Sequence, residues 1–210
     1  MNSYRVAKYH LAFVAILLGV LIAATSAHAQ QLEGKALVQA LQRGDYVILM
    51  RHTSSPANPP AKENADAQNT HLERQLDETG RNTATAFGDA LRRLKIPVGQ
   101  VLSSPTYRAL ETAQYAHLEN PKATPELGDN GQSMQNTNVS QSAWLQKQVT
   151  QFPHGSNTIL ITHQPNIVAA FPQWSAGLSD GEALILASDG NGGAKLVARV
   201  KIDEWPKLPG

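Results

Sequence analysis

Arg51 and His52 close the apolar run "YVILM" (Tyr46 to Met50), and the polar stretch "TSSPAN" follows them. A strand that stops on a fixed cation and a titratable imidazole either caps an ion pair or builds an anion site. Two further stretches repeat the plan. "VLSSPTYRALETA" (Val101 to Ala113) passes from a short strand pattern into a helix with Arg108 near its first turn. "TILITHQPNI" (Thr158 to Ile167) ends an apolar strand on His163. Arginine offers a planar fork of donors that matches phosphate oxygens two at a time. A helix opened by Pro105 adds free N–H groups and a positive dipole end. A neutral imidazole can attack phosphorus. A second, protonated one stabilises the equatorial oxygens as charge shifts in the transition state.

Each residue alone has a plainer reading. Arg51 could pair with a loop carboxylate, and a lone histidine at a strand end is usually a packed or capping residue. Two histidines and two arginines at strand ends make that coincidence far less economical. His71, His117 and His154 stand in loop or helix-end settings and are read as ordinary structural residues. A zinc site from His52, His163 and His71 is the rival cluster. It lacks close His spacing on one element, and two arginines would oppose a dication. Four cationic or donor groups already neutralise a phosphoryl group, so neither metal nor cofactor is expected.

The elements that must position these residues alternate along the chain. "GKALVQALQ" (Gly34 to Gln42) has helical spacing and stops at Gly44. Tyr46 to Met50 reads as a strand, and Asp77 to Leu94 as a helix with Ala84, Phe87, Ala90, Leu91 and Leu94 on one face. Val98 to Leu102 is a short strand, Pro105 to His117 a helix and Val139 to Phe152 another. Thr158 to Thr162 is a fully apolar strand, and Ala183 to Ala187 and Lys195 to Ile202 close the pattern. Such alternation implies an α/β three-layer sandwich with a mostly parallel central sheet and helices on both faces. In that architecture ligands sit beyond the carboxyl ends of the strands, where the four residues stand. Thr53 to Gln75 and Glu119 to Asn138 are irregular and long enough to be lids or binding loops.

The first 29 residues read as a secretory leader. Arg5 and Lys8 precede an uncharged run from Leu11 to Thr25, and Ala27 and Ala29 offer a small-residue cleavage site. The run is short for a membrane span. Cleavage would leave no stable membrane anchor and would place residues 30–210, a single domain of 181 residues, in a periplasmic or extracellular setting. Of 18 Lys and Arg and 17 Asp and Glu, the leader takes two basic residues, leaving 16 against 17 and a net charge of −1. A near-neutral chain has no global field to draw nucleic acid. There is no cysteine, which excludes disulfides and thiol catalysis.

In these stretches the chain resembles the histidine phosphatase superfamily, in its phosphoglycerate-mutase-like branch. The family pattern "RHGETxxN" is similar to "RHTSSPAN", with Asn58 at the matching offset and Thr53 in place of glycine. "LTxxGxxQA" resembles "LDETGRNTA" (Leu76 to Ala84), "SSPxxRAxxTA" is nearly matched from Ser103 to Ala113, and "VTHxxxI" resembles "ITHQPNI". The resemblance implies that His52 is the phosphorylated nucleophile and that Arg51, Arg108 and His163 complete a phosphate pocket. Gln164 after the second histidine departs from the "HD" of the acid phosphatase and phytase branch. Thr53 implies a bulkier pocket wall. The expected activity is metal-independent hydrolysis of a small phosphomonoester through a phosphohistidine. The alternatives are a phosphomutase and a non-catalytic phosphate-binding module.

The family places a Glu proton donor between the arginine helix and the second histidine. Glu126 and Asp129 in "TPELGDNG" stand there. Glu182 in "SDGEALIL" is favoured instead, because an antiparallel strand beginning at Ala183 would start at the same rim.

Overall fold

The structure is a computed structural model and describes residues 31–129 and 139–210. The expected leader lies outside the described residues. Among them no helix is long and apolar enough to cross a membrane.

Among the described residues five α-helices and six strands alternate much as the hydrophobic pattern requires. Helix α1 (Gly34–Arg43) buries Leu37, Val38 and Leu41 on one face. It stops at Gly44, whose φ is 83° and where a Cβ would lie 2.3 Å from the Ser156 nitrogen. Strand β1 (Tyr46–Arg51) follows, then a long loop to helix α2 (Glu78–Arg93). Asp77 caps α2 by accepting the Gly80 N–H at 2.7 Å. Strand β2 (Val98–Ser103) leads to helix α3 (Tyr107–Tyr115), then to the two-residue strand β3 (Lys122–Ala123) and helix α4 (Val139–Gln148). Strand β4 (Asn157–Thr162) is buried throughout. Helix α5 (Gln164–Ala170) and the strands β5 (Ala183–Ser188) and β6 (Ala194–Val200) complete the chain.

The sheet order is β3-β2-β4-β1-β5-β6. The pairs β3–β2, β2–β4 and β4–β1 are parallel, while β5 runs antiparallel to β1 and β6 to β5. On one face the sheet packs against α1, α2 and α3, with Phe87 and Trp205 edge to face at 4.8 Å. On the other it packs Leu145 of α4 and Ile167 and Ala170 of α5. The expected three-layer α/β sandwich is therefore what the chain forms. Each such buried Leu, Ile or Phe contributes about 1.5–3 kcal/mol.

Some elements differ from expectation, and β6 spans Ala194–Val200 where Lys195 to Ile202 was expected. Helix α3 begins at Tyr107 with Thr106 as its cap, so Pro105 stands just outside it. Helix α4 ends at Gln148, four residues short of Phe152. Helix α5 and strand β3 were not legible as elements, because seven and two residues carry too little periodicity.

Candidate active site

Parallel pairing of β1 with β4 sets Arg51 opposite Thr162, and the His52 N–H donates to the Thr162 carbonyl at 3.0 Å. His52 and His163, each one residue past its strand, are thereby brought side by side. Their rings meet edge to face, with centroids 5.2 Å apart. On the other side of β4, Ser103 of β2 pairs with Ile161, and the Ser104 N–H donates to Ile161 O at 2.8 Å. The chain then turns through Pro105 into α3, whose second residue is Arg108. Strand order alone thus gathers Arg51, His52, Arg108 and His163 at one cavity of about 390 Å³, a size suited to a small molecule.

Hydrogen bonds fix both imidazoles. His52 Nδ1 donates to its neighbour's carbonyl, Thr53 O, at 2.7 Å. Nε2 is then the unprotonated nitrogen, and it accepts from Arg108 Nε at 3.2 Å. Arg108 Nη2 reaches His163 Nδ1 at 3.1 Å. The opposite nitrogen, His163 Nε2, donates to Ser104 Oγ at 2.8 Å, and that hydroxyl donates onward to Thr106 Oγ1 at 3.1 Å. Burial holds the His52 imidazole well below the usual histidine range, reinforced by His163 and Arg108. Burial does the same to His163, reinforced by Arg108, Arg74 and Arg51. Both rings are neutral at pH 7. His52 has the form a nucleophile needs, whereas His163 must gain a proton before it can donate from Nδ1.

Arg51 pairs with Asp180 at 2.6 Å, and Arg108 forms an ion pair with Asp129. Asp129 lines the cavity, and its Oδ2 is 3.8 Å from His163 Nδ1. The backbone before it is pinned from three elements. Gly128 O accepts from Asn166 of α5 at 2.9 Å and from Gln141 of α4 at 3.0 Å, and Leu127 O accepts from Thr162 Oγ1 at 2.7 Å.

Glu182 does not reach the cavity. The antiparallel start of β5 does sit at the rim, where the Arg51 N–H donates to Glu182 O at 3.2 Å. The side chain, 2% exposed, is held elsewhere. Its Oε1 takes Arg199 Nη2 at 2.6 Å and Nε at 2.7 Å, and its Oε2 accepts the Ser179 N–H at 2.9 Å. It braces the turn that presents Asp180 to Arg51. Glu126 lies in a short 3-10 turn (Pro125–Leu127) and does not line the cavity.

The expectation that Thr53 thickens the pocket wall is also corrected. Thr53 is buried away from the cavity, its N–H and hydroxyl both 3.2 Å from Thr112 Oγ1 on α3. Asn58 is exposed and does not line the cavity either. The first N–H of α3 is not free for a ligand, because Tyr107 donates it to Glu73 Oε2 at 3.0 Å. Among the described residues no cluster of histidines and carboxylates is arranged to hold a metal ion. Arg74, not singled out above, and His71, read above as an ordinary structural residue, also line the cavity from the loop between β1 and α2. Only the charge of Arg74, three residues before the "DETG" cap, could have signalled it.

The "LDETG" stretch has a positional reason. Asp77 Oδ2 accepts from Ser54 Oγ at 2.7 Å, and a Cβ at Gly80 would lie 2.1 Å from Ser54 O. Helix α2 therefore packs directly on the chain leaving His52.

At the carboxyl rim of the parallel strands of this α/β sandwich, two histidines and two arginines line one cavity, a donor set that matches the oxygens of a phosphoryl group. The family model of the histidine phosphatase superfamily (branch 1) matches residues 47–129, which include Arg51, His52 and Arg108. The fold is similar to that of the protein histidine phosphatase SixA complexed with tungstate (TM-score 0.56, 18% identity, covering 76% of this chain and 98% of that one). It is also similar to a mycobacterial glucosyl-3-phosphoglycerate phosphatase (TM-score 0.51, 14% identity, 75% and 100%). A third likeness is to an Entamoeba histolytica phosphoserine phosphatase mutant (TM-score 0.51, 10% identity, 75% and 97%). The model match over residues 47–129 agrees with the resemblance read from the motifs, and the structural likenesses bear out the fold. No curated protein matches the sequence.

Proposed function

We propose that this chain is a metal-independent phosphomonoesterase that works through a phosphohistidine on His52. The observation that carries this reading is the state of His52. Its Nδ1–H is spent on Thr53 O, leaving an unprotonated Nε2 facing Arg108 inside a cavity lined also by Arg51 and His163. In the proposed step His52 Nε2 forms a bond to phosphorus as the ester P–O bond breaks. Arg51 and Arg108 take the negative charge of the phosphoryl oxygens. His163 draws a proton as the dianion arrives, since a nearby anion favours its charged form. Asp129, a carboxylate while paired with Arg108, takes a proton from solvent when the phosphoryl group displaces it from that arginine, passes it to the leaving oxygen, and afterwards takes one from the water that cleaves the N–P bond. The leader expected over residues 1–29 would export this activity from the cytoplasm.

The test is a rapid quench with labelled p-nitrophenyl phosphate in the presence of chelator. The expected result is an acid-labile phosphoryl adduct on the native chain and none on His52→Ala. An adduct that persists in His52→Ala, or turnover that requires added metal, overturns the proposal. Phosphate binding without adduct or turnover makes the chain a binding module instead.

A further inference from the structure

Three guanidinium groups face the cavity, and two carboxylates answer them. Arg51 has Asp180 and Arg108 has Asp129. Among the described residues Arg74 has no carboxylate within ion-pair distance. Its Nε donates to Pro56 O at 2.5 Å and its Nη2 to Ser55 O at 3.0 Å. These bonds fasten the guanidinium to the chain just after His52 and leave Nη1 without a protein partner among the described residues. The adjacent acid, Glu73, is engaged by the Tyr107 N–H. Burial lowers the pKa of Arg74 from its ordinary value, and Arg108 is the next cause. Asp129 and Asp180 favour its charged form, but among the described residues no carboxylate pairs with it directly, so an arriving anion would be its first direct partner.

Position decides which anion. Arg51, His52, Arg108 and His163 come from strand ends and the first turn of α3, and they form the floor that surrounds a phosphoryl group. Arg74 comes from the loop and stands on the wall with Pro59, His71 and Leu72. The cavity is several times larger than a phosphoryl group needs. We propose that Arg74 binds a second anionic group, a carboxylate or a phosphate, carried by the leaving group of the substrate. This rests on the phosphatase reading and narrows its substrate class to phosphomonoesters with a second anion.

The experiment uses three matched esters: 2-hydroxyethyl phosphate, phosphoglycolate and ethylene glycol bisphosphate. The wild-type chain is expected to show kcat/KM at least tenfold higher for one or both doubly anionic esters than for the hydroxyethyl ester. The carboxylate and phosphate arms identify which anion is preferred. Arg74→Gln should lose at least tenfold more on the preferred ester than on the hydroxyethyl ester. Arg74→Lys should retain part of the preference, which loosening of the loop alone would not allow. No preference in the wild type, or equal losses on all three esters in Arg74→Gln, overturns the proposal. Calorimetric binding of ethylphosphonate, phosphonoacetate and methylenediphosphonate runs beside it. If none of the esters turns over, the phosphatase reading fails, and the binding series still decides the subsite. Tighter binding of a two-anion ligand that Arg74→Gln abolishes supports it, and equal binding of all three sinks it.

Discussion

The imidazoles of His52 and His163 lie edge to face, 5.2 Å between centroids with planes 63° apart, and Arg108 touches a nitrogen of each. One guanidinium thus orients both rings and adds to the burial that keeps them neutral.

That fork cannot be replaced by a point charge. Arg108→Lys keeps the cation but can no longer reach His52, His163 and Asp129 together. The expected loss in kcat/KM is on the order of 2–3 kcal/mol, as for removal of a positioned oxyanion donor. Steady-state kinetics with p-nitrophenyl phosphate checks this, and activity within twofold of wild type contradicts it.

Asp129 and Glu182 should separate by leaving group. General acid catalysis is commonly worth about 10²–10⁴-fold and matters most for poor leaving groups. Asp129→Asn is expected to lose that much with an alkyl phosphate and under about tenfold with p-nitrophenyl phosphate. Glu182→Gln should show no such dependence. It leaves Arg199 without its carboxylate, so it should lower the unfolding free energy by on the order of 1–3 kcal/mol. Leaving-group dependence in Glu182→Gln would reverse the assignment.

The two buried histidines make the fold sensitive to acid. Their folded-state pKa values lie below the ordinary value near 6.5, so below that pH the unfolded chain binds protons that the native chain refuses. Stability should therefore fall as pH drops from about 6.5, by at most about 1.4 kcal/mol per pH unit for each group. Urea midpoints of wild type and His163→Gln between pH 7.5 and 5.5 test this. The variant should show a shallower decline, and parallel curves would contradict it.

Glu111 works in the opposite sense. Burial pushes its carboxyl group up to about 7, against the lowering effect of the Leu76 N–H at 2.6 Å, while Asp66 adds a further upward push. The native chain keeps this proton where the unfolded chain has lost it, so the contribution fades as pH rises from about 4.5 through 7. Glu111→Gln, which can still accept from Leu76, should be more stable than wild type above pH 7, by on the order of 1 kcal/mol. The difference should close toward pH 5. A gain that is constant with pH would show that charge is not the cause.

The strand ends were legible because they are local. Five or six apolar residues make a buried strand, and the residue after it must emerge at the rim. So Arg51, His52 and His163 could be placed from the chain alone, and Arg108 from the turn into a helix. Order in the sheet was needed to show that β1, β4 and β2 are neighbours, since pairing joins residues about a hundred positions apart. The destinations of the carboxylates were not legible at all. Glu182 directly precedes its strand at the expected rim, yet Arg199, on the adjacent strand and 17 residues later, captures it. Asp129 stands in a polar stretch with no pattern of its own, and amides from α4 and α5 hold the backbone before it while Asp129 itself lines the cavity. Arg74 is turned to the same cavity by two carbonyls that precede it by some 18 residues. A strand's direction follows from its own residues, but a long charged side chain goes to whichever partner the packed fold leaves within its reach.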